Sequence, residues 1–365
     1  MIRYFLVFIS LVLSTELISY LATSLNLLYY NDTPSLYSPI NIQRDSRTEN
    51  SPWGAWHRPN SSFEERNSCF SVSMKFNEVG ARDNSFVGIE DNSGYILLGG
   101  SFAEGYGINK QNTASDLIEK YTGKQVLNLG SAGDIGPLQH LLIYKNFKHL
   151  PHSNVIIFIT PTNDLTDNDY HTWINIDKTR YRPYFNVNSK NPLTPYYFPE
   201  AIPRNNFYEN KTILLKEFIK NNFWSSNLIR SGRKLLNDQS YKVSRITSLF
   251  PTNHFFQSTT TQQENFILAY KEILRLAKNA NVYLVIIPTE RDIKEMQSSK
   301  ITYYDTIWYQ GLQKLSEFRT SKIVRIIDLY KELPANFSEL FFKCDDHWNN
   351  TGNEWAAKVI SKNLE

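Results

Sequence analysis

Five short apolar runs, each closed by glycine, proline or polar turn residues, set the strongest limit on how this chain can fold. They are Tyr95-Ile-Leu-Leu-Gly-Gly100, Gln125-Val-Leu-Asn-Leu-Gly130, Asn154-Val-Ile-Ile-Phe-Ile-Thr160, Asn281-Val-Tyr-Leu-Val-Ile-Ile-Pro288 and Ile323-Val-Arg-Ile-Ile-Asp-Leu329. Between them lie stretches with helical spacing. Thr113 to Tyr121 is one, with Gly123 as its stop; another starts at Pro137; two more cover 262–280 and 304–318. A last helix of about Thr351 to Asn363 closes the chain. Near-continuous apolar strands alternating with amphipathic helices predict a parallel sheet covered on both faces, a doubly wound α/β fold.

Length and composition agree. The 365 residues bury a substantial core, and 41% hydrophobic with 14% aromatic content excludes a disordered chain. With 39 Lys+Arg against 36 Asp+Glu, the net charge of +3 gives no electrostatic basis for binding nucleic acid. The two cysteines, Cys69 and Cys344, make no metal knuckle; whether they bridge each other is open from sequence.

The N-terminus carries a second constraint. After Arg3, the run Tyr4 to Leu13 is almost wholly apolar and continues more weakly, through Glu16, to Tyr30. About 20 apolar residues match a bilayer-spanning helix. Three readings stand: an uncleaved signal anchor, a cleaved signal with Ala22-Thr23-Ser24 as its cleavage site, or a buried core helix. Arg3 precedes the span and the next basic residue is Arg44, so the positive-inside rule predicts a cytoplasmic N-terminus and an exported remainder, periplasmic or on the cell surface. Glu16 is costly inside a membrane and calls for a partner helix or a shallow position.

The expected organisation is therefore a membrane segment (1–30), an extracytoplasmic lead-in (31–90) and an α/β domain (91–365) with an insertion (165–262). The lead-in contains a period-two strand candidate, Phe70–Phe76. A turn at Asn77–Asp83 is read as holding a structural Arg82–Asp83 pair. The insertion is rich in Tyr, Asn, Pro and Trp, with a helix-like segment near Trp224–Leu236; so long an interruption fits a lid or binding element, or a plain surface elaboration.

Ligands of open α/β sheets bind beyond the carboxyl ends of the strands. Four polar blocks sit at or beyond those ends: Gly99-Gly-Ser-Phe-Ala-Glu-Gly105, Asn128-Leu-Gly-Ser-Ala-Gly-Asp134, Thr160-Pro-Thr-Asn-Asp164 and Lys343-Cys-Asp-Asp-His-Trp-Asn-Asn-Thr-Gly352. In this order they resemble the four blocks of the SGNH/GDSL-type esterase and acyltransferase superfamily, over roughly residues 94–365. The resemblance implies a flavodoxin-like sheet and no cofactor or metal. It implies Ser101 as nucleophile, Gly133 and Asn163 as oxyanion donors with the Ser101 N–H, and His347 as base. Gly100 stands where the family often has Asp, Pro161 replaces a usual glycine, and Cys344 occupies the position of the usual Asp three residues before the histidine. Asp345 fits the Asp-x-His-Trp variant of polysaccharide O-acetyltransferase relatives. The lead-in and its Gly-Ala-Arg-Asp element are also similar to exported members associated with bacterial surface polysaccharides.

The residue types suit acyl transfer on their own terms. A histidine is the side chain whose pKa lets it take a serine proton near neutral pH, and a carboxylate behind it fixes its tautomer. In an extended loop alternate side chains share a side, so Asp345 rather than Asp346 is expected to face with His347. The expected function is a serine esterase acting on O-acyl, chiefly O-acetyl, esters of a cell-surface glycan. The alternatives are a polysaccharide O-acetyltransferase and a catalytically silent glycan-binding or assembly protein.

Overall fold

The computed structural model describes residues 2–25, 49–67, 69–133, 135–176, 178, 181–201, 223–229, 232, 254–317, 322–343 and 345–364. Helix α1 (Ile2–Ser24) is the apolar N-terminal run, and its Ile2–Ala22 portion is long and apolar enough to cross a membrane. Two small antiparallel pairs follow. Strands β1 (Glu49–Ser51) and β2 (Gly54–Trp56) form one; β3 (Ser62–Asn67) and β4 (Phe70–Lys75) form the other, in register from Ser62↔Lys75 to Asn67↔Phe70. The Phe70–Phe76 candidate is thus one arm of a hairpin whose buried side chains, Val72 and Met74, alternate with exposed ones.

Strand β5 (Tyr95–Leu98) begins the main sheet. It leads through α2 (Ser101–Glu104) and α3 (Ala114–Thr122) to β6 (Val126–Asn128), and then through α4 (Pro137–Phe147) to β7 (Asn154–Ile159). After α5 (Pro161–Asp164) and α6 (Tyr170–Ile176) come α7 (Thr260–Leu276), β8 (Asn281–Ile286), α8 (Glu290–Ser299), α9 (Ile307–Ser316), β9 (Val324–Asp328) and α10 (Asn350–Asn363). The five strands are all parallel, in the order β6-β5-β7-β8-β9. Counted along the chain this is 2-1-3-4-5, the flavodoxin-like order.

The pleat explains the double winding. Successive strand residues point to opposite faces. Ile96, Leu98, Val155 and Ile157 therefore meet Leu138 and Leu141 of α4, Phe266 of α7 and Trp308 of α9 on one side. Tyr95, Leu97, Ile156 and Phe158 meet Ile118 of α3 and Ala356, Ala357 and Ile360 of α10 on the other.

Helix ends follow local chemistry. Thr113 caps α3 by accepting from Asp116 N, and Gly123 ends it in a left-handed conformation. Thr259 and Gln262 form a capping box at the start of α7, so the interrupted stretch gives way to regular structure close to residue 262. Helix α8 has no counterpart in the sequence reading: Glu-Arg-Asp-Ile-Lys-Glu-Met-Gln-Ser-Ser offers only Ile293 and Met296 as apolar residues, too few to register as a periodic face.

The lead-in packs onto the sheet domain, with Trp53 and Trp56 buried against Phe147 of α4. Within the insertion, a bridge between Tyr184 and Tyr196 brings Tyr184, Phe185 and Phe198 into buried positions. The helix-like segment expected near Trp224–Leu236 is helical at 225–229; residues 230, 231 and 233–236 lie outside the described residues. Cys69 is disulfide-bonded, and the only other cysteine of the chain, Cys344, lies outside the described residues.

Candidate functional site

The site forms where the sheet order reverses, between the carboxyl ends of β5 and β7. Strand β5 runs into Gly99, whose φ of +154° disfavours any side chain; a Cβ there would also lie 2.8 Å from the side chains of Ala103 and Phe158. This tight turn lets Ser101 open α2 at once, half-buried, while Phe102 and Ala103 anchor the helix in the core.

The histidine arrives from a closed loop before α10. Phe341 bridges Trp348, and Phe342 N donates to His347 O at 2.9 Å. His347 Nε2 lies 2.6 Å from Ser101 Oγ. Its Nδ1 bonds Asp345 Oδ1, which also accepts from His347 N at 2.9 Å. Residues 345–347 bend rather than extend, so strand-like alternation is not what joins Asp345 to His347. An Asx turn does it: one carboxylate oxygen takes both the backbone and the ring donor of the residue two positions on. Asp346 faces elsewhere and pairs with Arg291 at 3.1 Å on the exposed surface. The rings of Phe102 and Tyr106, each centred 4.9 Å from the imidazole, flank it on the Ser101 side.

The second polar block is pressed onto this turn. Ser131 N donates to Gly99 O, and Asn128 Nδ2 donates to Ala103 O and Ser115 Oγ. Gly130 has to be glycine here, since a Cβ would meet Ala103 Cβ and Glu104 N at 2.6 Å. Gly133 follows with φ +102°, exposed; Asp134 lies outside the described residues. Asn163 sits exposed on α5 at the end of β7. Behind it, Asp164 accepts from Thr160 N and from Tyr270 OH, and burial drives its carboxyl well above the usual range. Tyr270 OH also contacts Nδ1 of His140, a fully buried imidazole whose pKa burial depresses to about 3.

Several contacts that shape the site have no counterpart in the sequence reading. Arg82 and Asp83 do not pair with each other as expected. Arg82, fully buried, donates to the carbonyl oxygens of Glu104 and Gly105 at the C-terminal end of α2 and of Ile108 in the loop that follows. Asp83 accepts from Asn128 N at 2.9 Å and pairs with Lys110; burial nonetheless raises its pKa to about 6. Glu104 is fully buried: one carboxylate oxygen bonds His57 Nε2 and the other accepts from Ala132 N at 2.9 Å. An acid three residues after Ser101 in an otherwise small and apolar turn was the available signal for Glu104. Nothing local marked His57.

Among the described residues no group of three or more His, Cys, Asp or Glu side chains is placed to hold a metal ion. No family model matches the chain, and no curated protein matches it. A solved structure of a G-D-S-L family protein with an inferred lipolytic activity, from Desulfitobacterium hafniense DCB-2, is similar at 11% identity and a TM-score of 0.38, over 74% of this chain and 99% of that one.

Proposed function

We propose that this chain is a serine-dependent ester hydrolase. The contact that carries the reading is His347 between Ser101 Oγ and Asp345, with one ring nitrogen on each. In this mechanism His347 Nε2 takes the Ser101 proton as Oγ attacks the ester carbonyl carbon. Asp345 holds the tautomer that leaves Nε2 free to accept and stabilises the imidazolium that forms. The negative charge that develops on the former carbonyl oxygen is met by the N–H groups of Ser101 and Gly133 and the Asn163 amide. Collapse breaks the ester C–O bond, and His347 returns its proton to the leaving alcohol. Water then releases the acyl group by the same steps in reverse; a sugar hydroxyl in place of water would make the enzyme an O-acetyltransferase.

The substrate class we assign is an O-acetyl ester on a cell-surface glycan. An N-terminal helix long and apolar enough to cross a membrane supports it, as do the aromatic side chains beside the histidine: Tyr106 packs on His347 and on Phe70, and Phe70 on Phe342. Sugar faces stack on such surfaces.

The test is acyl-enzyme formation. With p-nitrophenyl acetate and a fluorophosphonate probe, the wild-type chain should release nitrophenol and carry the probe on Ser101, whereas Ser101→Ala should fold and do neither. Label on another residue, or unchanged turnover in Ser101→Ala, would refute the assignment.

A further inference from the structure

Glu16 lies within the apolar span and needs a partner there. The partner comes from the insertion, more than two hundred residues away in sequence. Glu16 Oε2 accepts from Trp224 N at 2.6 Å, and Oε1 accepts from Ser225 N at 3.1 Å. The Tyr20 and Trp224 rings meet edge to face with centroids 5.0 Å apart. Within Ile2–Ala22 every residue is exposed except Glu16, Ser19 and Ala22, which recur every three positions and form one stripe on the helix. On the insertion side Ser226 and Asn227 are buried, while Leu228 and Ile229 point outward, Ile229 being 60% exposed.

The geometry points to residues 223–229 as a membrane-seated element that lies against α1 inside the bilayer, with lipid acyl chains as the partner of Leu228 and Ile229. Ile2–Ala22 is 21 residues, which at ~1.5 Å per residue spans ~31 Å, the thickness of a hydrocarbon core. Glu16 precedes Ala22 by 22 − 16 = 6 positions, about 9 Å inside the end from which the rest of the chain emerges. Segment 223–229 therefore reaches that depth from the same side. Backbone at this depth is tolerated only where its polar groups are satisfied within the protein. The contact does this reciprocally: two N–H groups that open a short helical turn gain an acceptor, and a carboxylate that would be stranded in hydrocarbon gains two donors. Outward-facing Leu228 and Ile229 then meet lipid rather than water, and the insertion pins the domain against the membrane surface. None of this depends on the esterase reading.

The experiment uses the full chain in phosphatidylcholine vesicles. Trp224 emission is isolated by subtracting the spectrum of Trp224→Phe, which keeps an aromatic ring at the contact. Lipids brominated on the acyl chains should quench this difference signal by about half or more, and aqueous iodide should leave it unchanged. Glu16→Leu should reverse the pattern while α1 stays inserted. Iodide quenching of the wild-type signal without bromolipid quenching would overturn the proposal. So would a mature chain lacking residues 2–22, and an unchanged pattern in Glu16→Leu would overturn the role given to the carboxylate.

Discussion

Asp345 and Asp346 differ by one position and by everything that surrounds them. Asp345 takes two donors from His347, while Asp346 holds an exposed pair with Arg291. An exposed pair contributes about 0–1 kcal/mol, so Asp346→Asn should keep kcat on p-nitrophenyl acetate within about threefold of wild type. Asp345→Asn replaces an acceptor-only carboxylate by a neutral amide that can also donate to the ring, so it no longer fixes the tautomer, and in serine proteases such a change costs up to ~10⁴ in turnover. Rates of the two purified, folded variants should rank in that order, and the opposite ranking would remove Asp345 from the mechanism. Asp345 meets His347 through a bend, not through the extended loop that the sequence predicts. For Asn163 the expectation is a loss of about 100-fold or more in kcat on Asn163→Ala, with KM little changed. A donor aimed at the oxyanion acts on the transition state rather than on bound substrate.

The turn at residues 77–83 is the element that ties the lead-in to the site. Arg82 donates to three carbonyl oxygens at the end of α2 and in the loop after it, and Asp83 satisfies the N–H of Asn128 at the end of β6. Arg82→Met would remove a buried donor from each of those carbonyls, at about 1–3 kcal/mol for a lost buried partner; urea unfolding should register a destabilisation of at least about 2 kcal/mol. For Asp83 the sign runs the other way from a salt-bridged acid. Its folded pKa of about 6 lies above the unfolded value of about 3.9, so between those values the folded state binds more protons than the unfolded one. Stability from this group is fully present below pH ~4 and falls as pH rises to about 6. The stability difference between wild type and Asp83→Asn should therefore shift against the wild type by about 2–3 kcal/mol from pH 4 to pH 7. A flat difference across that range would mean that Asp83 titrates normally.

At the scale of the whole molecule, residues 101, 133 and 163 follow the carboxyl ends of three neighbouring parallel strands, and the loop before α10 returns His347 to the first of them. Read as an uncleaved anchor, α1 adds a prediction at this scale: the full chain should remain with membranes through alkaline carbonate extraction, whereas a chain lacking residues 2–22 should be released. Much of this architecture was legible in the sequence because it is written locally. Apolar runs of strand length, glycine stops, capping threonines and the polar blocks at strand ends each depend on a few adjacent residues, and a parallel sheet buried on both faces leaves little other way to arrange them. Helix α8 was missed because its burial is supplied by Asp292 and Glu295 as well as by two apolar residues. The partners of Arg82, Glu104, His57 and Glu16 belong to tertiary structure alone. Each is a polar group whose acceptor or donor lies on another element, 22 to 209 positions away along the chain. No periodicity encodes such a pairing; it is decided when packing removes water from these groups and leaves them to satisfy one another.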